Sequence, residues 1–134
     1  MSNKFKNFIH RLFRKEKNEV ELYLPDEAQE KFVLKLENIE IGYLECREGI
    51  WSFYYSEAFK NKSDLYSIPG FPNLDKKYTS ESLWPFFKIR IPGLGQPAIK
   101  EILSKENIDK RNELALLKRF GKRSIANPYT LILS

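Results

Sequence analysis

The sequence predicts an α+β domain: an antiparallel, mostly N-terminal β-sheet packed with about three helices. Two observations carry the sheet. Apolar and polar residues alternate with period two through residues 31–37, 39–44 and 51–56. Tight-turn signals join these runs, above all Arg47-Glu48-Gly49, and short connections favour antiparallel neighbours. A third observation carries the helices. In the last third of the chain the apolar spacing changes to three and four, as in Ile99, Ile102, Leu103 and in Leu114, Leu117, Phe120.

A chain of 134 residues with 42% apolar and 31% charged residues suits one soluble domain with a real core. The charge is unevenly placed. Residues 1–17 hold six cations (Lys4, Lys6, Arg11, Arg14, Lys15, Lys17) against Glu16, which accounts for the whole net charge of +5. The other 17 of 23 basic and 17 of 18 acidic residues cancel. The basic character therefore belongs to the N-terminal segment, and the globular part is not expected to bind nucleic acid directly. Two regions follow: a basic amphipathic segment, 1–18, and a domain, 19–134. A single cysteine, Cys46, and a single histidine, His10, exclude an internal disulfide and a Cys- or His-rich metal site within one chain. A reducing, cytoplasmic location is expected. No apolar run approaches the length that spans a bilayer, and the N-terminus lacks the apolar stretch of a signal peptide.

In chain order, Phe5, Phe8, Ile9, Leu12 and Phe13 form the apolar stripe of a short helix. It docks on the domain or is a frayed tail, or it meets a partner's groove or a membrane surface, where a helix of this length binds anionic lipid only modestly. Val20–Leu24 is a strand candidate ended by Pro25, and Asp26–Glu30 a turn. Phe32, Leu34 and Leu36 mark one buried strand face. Ile39, Ile41 and Tyr43 mark the next, alternating with Glu40, Gly42 and Leu44. Arg47-Glu48-Gly49 is a three-residue hairpin connection with Gly49 left-handed. Trp51, Phe53 and Tyr55 mark a third strand. Ala58–Asp64 reads as loop, and Tyr66–Pro72 as extended residues among turn formers. Thr79, Ser80 and Ser82 are N-cap candidates, and Pro85 in a first turn sets a helix start near Ser82. That helix ends at Pro92-Gly93. Gln96-Pro97 opens another helix. Asn112–Phe120 is a third, stopped by Gly121, with Lys118, Arg119 and Lys122 near its C-terminal end. Tyr129, Leu131 and Leu133 form a last strand that returns to the sheet.

No motif selects an enzymatic reaction, and no cofactor is implied. Gly93-Leu94-Gly95 is the only close glycine pair, without the Lys-Ser or Lys-Thr of a phosphate-binding loop. Kinase and hydrolase signatures are missing. A Cys46–His10 nucleophile pair would join a strand residue to the basic segment. The aromatic strand faces are expected to be core, with base stacking as the competing use.

One ordered set of signals resembles a known family. It comprises Ile41-Gly42-Tyr43-Leu44, Trp51-Ser52-Phe53-Tyr54-Tyr55, Tyr66-Ser67-Ile68-Pro69-Gly70-Phe71-Pro72 and Leu83-Trp84-Pro85-Phe86-Phe87 running into Ile91-Pro92-Gly93. It closes with Glu113-Leu114, Leu117, Phe120-Gly121 and the terminal strand. The order is similar to the N-terminal domain of HipA-type serine/threonine kinases, the toxins of bacterial toxin–antitoxin modules, and covers roughly residues 39–134. Two loops depart from the family pattern. Lys88-Ile89-Arg90-Ile91-Pro92-Gly93 lacks the family's acidic residue, and Gly121-Lys122-Arg123-Ser124-Ile125-Ala126-Asn127 replaces "G-x-D-x-x-G-A".

The resemblance implies a non-catalytic binding module rather than an enzyme. In some three-component modules this domain is a separate small protein that binds and restrains the kinase, alongside a DNA-binding antitoxin. By similarity the partner-binding residues are Leu83, Trp84, Phe87, Arg90 and Pro92, with Trp84 as anchor. At least two of Trp84, Phe86 and Phe87 are expected to pack the helix on the sheet instead. The competing function is a membrane-surface or adaptor protein acting through Phe5, Phe8, Ile9, Leu12 and Phe13.

Overall fold

The structure, a computed structural model, describes residues 21–62 and 66–134. The expected helix over Phe5–Phe13 lies outside the described residues. Five antiparallel strands form one sheet: β1 (Glu30–Leu36), β2 (Ile39–Arg47), β3 (Ile50–Tyr55), β4 (Tyr78–Ser80) and β5 (Thr130–Leu133), in the order β4-β3-β2-β1-β5. Among the described residues there are four helices: α1 (Glu57–Lys60), α2 (Pro85–Lys88), α3 (Pro97–Lys105) and α4 (Glu113–Phe120). This is the expected α+β class, with the strands mostly N-terminal.

Strands β1 and β3 bury most of the residues their alternation picks out: Phe32 and Leu34 on one, with Leu36 half-buried at its end, and Trp51, Phe53 and Tyr55 on the other. Strand β2 does not. Its register against β1 runs Leu34↔Gly42 and then Lys35↔Glu40, so Ile41 is an extra residue, a β-bulge. Ile41 and Gly42 are both buried, and beyond them Leu44 and Cys46 point inward while Tyr43 points out. The sequence reading placed Tyr43 on the buried face because strict period two allows no phase change. Gly42 is required at the bulge: a Cβ there would lie 2.6 Å from the Tyr54 carbonyl oxygen and 2.7 Å from the Phe53 ring.

The β2–β3 connection is shorter than expected. Arg47 pairs with Ile50, leaving two loop residues, and Glu48 (φ 53°) and Gly49 (φ 77°) are both left-handed. That is a type I′ turn, whose twist matches the flanking strands. Of the expected strand Val20–Leu24, the described residues 21–24 do not join the sheet. Tyr23 instead makes one parallel bridge with Asn112, donating its N–H to the Arg111 carbonyl and accepting from Glu113 N, both at 2.8 Å.

Two short elements emerge where a loop and caps were expected. Ser56 caps α1: its Oγ accepts from Phe59 N at 3.0 Å and donates to the Glu40 carbonyl at 2.6 Å. Phe59 is thereby stacked on Tyr55 with ring centroids 5.1 Å apart. Thr79 and Ser80 are not helix caps but residues of edge strand β4. Helix α2 starts at Pro85 rather than near Ser82, with Trp84 as N-cap, and its C-cap is Ile89 rather than Pro92. Pro85 sits in the first turn as its missing N–H demands. Asn112 caps α4, its Oδ1 accepting from Ala115 N at 3.0 Å, and Gly121 closes it. Strand β5 pairs with β1, so the C-terminal end of the described chain completes the sheet.

Candidate functional site

The stretch from Leu83 to Pro92 is held from two sides by buried charged groups. The first is Glu113, in the first turn of α4 and only 1% exposed. Its Oε1 accepts from the Trp51 indole N–H at 2.7 Å, and its Oε2 faces Leu83 N at 3.4 Å. One carboxylate thus joins the start of α4, the middle of the sheet and the residue before Trp84. The sequence reading missed this role, because an acid in a helix's first turn is already explained by the helix dipole.

The second is Arg90, 4% exposed, just past α2. Its Nη1 donates to the carbonyls of Gly121 (3.0 Å) and Lys122 (3.3 Å), and its Nη2 to Asn127 Oδ1 (3.1 Å) and the Tyr129 carbonyl (3.0 Å). Burial pulls the guanidinium pKa below its ordinary value. Arg90 therefore fastens α2 to the loop between α4 and β5. The clue in the sequence is its setting between Ile89 and Ile91.

Among the residues read as partner-binding, Leu83, Phe87 and Arg90 are turned into the domain by packing. Leu83 and Phe87 belong to the main core with Phe53 and Phe71. Trp84 and Pro92 stay half-buried at the surface. The Trp84 ring meets Phe71 edge-on at 5.1 Å, and Phe71 in turn meets Phe53 at 4.7 Å. The Trp84 carbonyl accepts from Phe87 N (3.0 Å) and Lys88 N (2.9 Å). Both the backbone and the ring of Trp84 are fixed before any partner arrives. Phe86 packs between Phe87 and Tyr129. Phe87 is thus buried in the core, and Trp84 and Phe86 pack against it while staying half-buried.

The loop before this stretch is tied down by Tyr55. Its hydroxyl donates to the Phe71 carbonyl at 2.6 Å and accepts from Ile68 N at 3.0 Å. Burial pushes its pKa up to about 12. The Cys46 thiol is likewise pushed up to about 11, chiefly by burial, so it stays protonated at neutral pH and is a poor nucleophile. Its suggested partner His10 lies outside the described residues.

A cavity of about 580 Å³ opens beside α1 and is lined by Glu40, Tyr43, Tyr54, Ser56, Glu57 and Lys60 among others. Its polar groups largely pair with one another: Tyr43 with Glu40 at 2.9 Å, and Lys60 with Glu57 at 3.3 Å. Among the described residues no group of three His, Cys, Asp or Glu is placed to hold a metal, and no helix is long and apolar enough to cross a membrane.

Set against known families, residues 33–126 match the HipA N-terminal domain, more than half of the chain. The chain belongs to the HipA N-terminal domain family. The match runs from within β1 into the Arg90-held loop. A HipA N-terminal domain is a non-catalytic region of HipA, and the family gives the chain a toxin–antitoxin context. No curated protein matches the chain.

Proposed function

We propose that this HipA N-terminal domain acts as a binding module that associates with a separate HipA-type serine/threonine kinase core and restrains it. The observation that supports this reading is Trp84. It is a large aromatic left half-buried at the surface, although its neighbours Leu83 and Phe87 are consumed by the core. It is pre-ordered by Phe71 beneath it and by Glu113 behind Leu83. A rigid aromatic loses little freedom on binding and suits the centre of an interface. Pro85, next to it in sequence, is exposed and adds stiff apolar area.

The test is a binding titration of the full chain against a HipA-type kinase core from the same organism, with Trp84→Ala beside the parent. Truncating a central aromatic costs about 2 kcal/mol or more, roughly a thirtyfold loss of affinity. The variant is expected to keep its thermal unfolding within a few degrees of the parent. Equal affinity of parent and variant would remove Trp84 from the interface.

A further inference from the structure

The loop between α4 and β5, residues 121–129, carries a surface feature that folding does not use. Ile125 is fully exposed, the most exposed large apolar side chain among the described residues. Beside it in sequence, Lys122 and Arg123 are both exposed and make no ion pair among the described residues. The cations just before them are already matched: Lys118 pairs with Glu30 at 3.0 Å and Arg119 with Glu106 at 2.8 Å. No acidic residue occurs after Glu113, so nothing within residues 114–134 offsets Lys122 and Arg123.

A lone exposed isoleucine is ordinary on a protein surface. Here the loop that displays it is fixed. Arg90 holds it at Gly121, Lys122, Asn127 and Tyr129. Within the loop, Ser124 Oγ accepts from Ala126 N at 3.0 Å and Asn127 Oδ1 from Tyr129 N at 3.2 Å. Leu131 N donates to the Lys122 carbonyl at 2.9 Å, tying the loop to β5. An ordered loop tip that presents one apolar side chain just after two cations without an ion pair among the described residues loses little conformational freedom on docking. Its charge specifies the opposite charge across the contact.

We infer that Lys122, Arg123 and Ile125 form a second contact, docking on an acidic protein surface with an apolar pocket that receives Ile125. The inference rests on the proposed function and assigns that surface to the kinase core. The cations steer the encounter and Ile125 slows departure. The same Arg90 that anchors the loop follows α2 directly, so the Trp84 stretch and this loop are mechanically one unit.

Association kinetics of the full chain with the HipA-type kinase core test this at two salt concentrations. The double variant Lys122→Glu, Arg123→Glu is expected to associate about tenfold more slowly at low salt and to lose most of the salt dependence of its on-rate. Ile125→Ser is expected to leave the on-rate unchanged and to dissociate about tenfold faster, the equivalent of one buried aliphatic group. Unfolding curves matching the parent show that neither acts through stability. If both variants bind like the parent while Trp84→Ala does not, the second contact is wrong and the proposed function stands. If the parent itself does not bind the kinase core, both are wrong.

Discussion

At the scale of single residues, two buried charges do the organising, and neither is paired with an opposite charge among the described residues. Glu113 is satisfied by neutral donors, the Trp51 indole and the Leu83 amide. Removing its acceptors strands a buried N–H, which costs about 1–3 kcal/mol. Glu113→Ala is therefore expected to lower the unfolding free energy by at least that amount in urea titrations. Glu113→Gln keeps one acceptor oxygen and is expected to lose less. Cys46 gives a pH prediction. Its folded-state pKa is about 11 against an ordinary 9.0. Between those values the unfolded chain releases a proton that the folded chain keeps, so stability falls as pH rises through that window. Urea midpoints at pH 8 and pH 10.5 measure the fall, and Cys46→Ala should reduce it. Sequence reading recognised these residues unevenly. Trp51, Phe53 and Tyr55 are legible as core because their alternation is unbroken. Arg90 reads as an interface arginine because sequence alone does not show that four acceptors converge on it.

At the scale of elements, the strands were more legible than their boundaries. Strands β1, β3 and β5 follow from alternation, and helices α3 and α4 from apolar spacing and caps. What the sequence does not display is set by non-local geometry. Strand β4 has only three residues and exists through pairing with β3. Helix α1 has four, too few for any period. The bulge at Ile41 changes the phase of β2 through its register against β1, a fact about two strands rather than one. The bulge carries its own prediction. Gly42→Ala would force a Cβ against the Tyr54 carbonyl and the Phe53 ring. Overpacking of this kind costs about 1–3 kcal/mol. Thermal unfolding measures it, and an unchanged transition would mean that β2 can slide to relieve the clash.

At the scale of the whole molecule, the sheet and α4 form one support behind the Leu83–Pro92 stretch, which contains α2. Phe53, Phe71 and Trp84 make a continuous aromatic contact from the sheet to the surface. Glu113 holds the Leu83–Pro92 stretch at Leu83, and Arg90 holds it just past α2. The family was legible from the order of the motifs, since the turn and aromatic signals follow one another as in a HipA N-terminal domain. The burial of the five residues that the resemblance implies was not legible: packing takes Leu83, Phe87 and Arg90 into the domain and leaves Trp84 and Pro92 half-buried at the surface. The remaining candidates, Lys122, Arg123 and Ile125, lie in the loop where the chain departs from the family pattern. The measurement that tests the central claim most directly is phosphorylation by a HipA-type kinase core from the same organism, titrated with the full chain. The account predicts activity that falls with a saturable dependence on the chain, and a Trp84→Ala curve displaced to about thirtyfold higher concentration. Kinase activity that is unaffected at saturating chain, or inhibited equally by the Trp84→Ala variant, would contradict it.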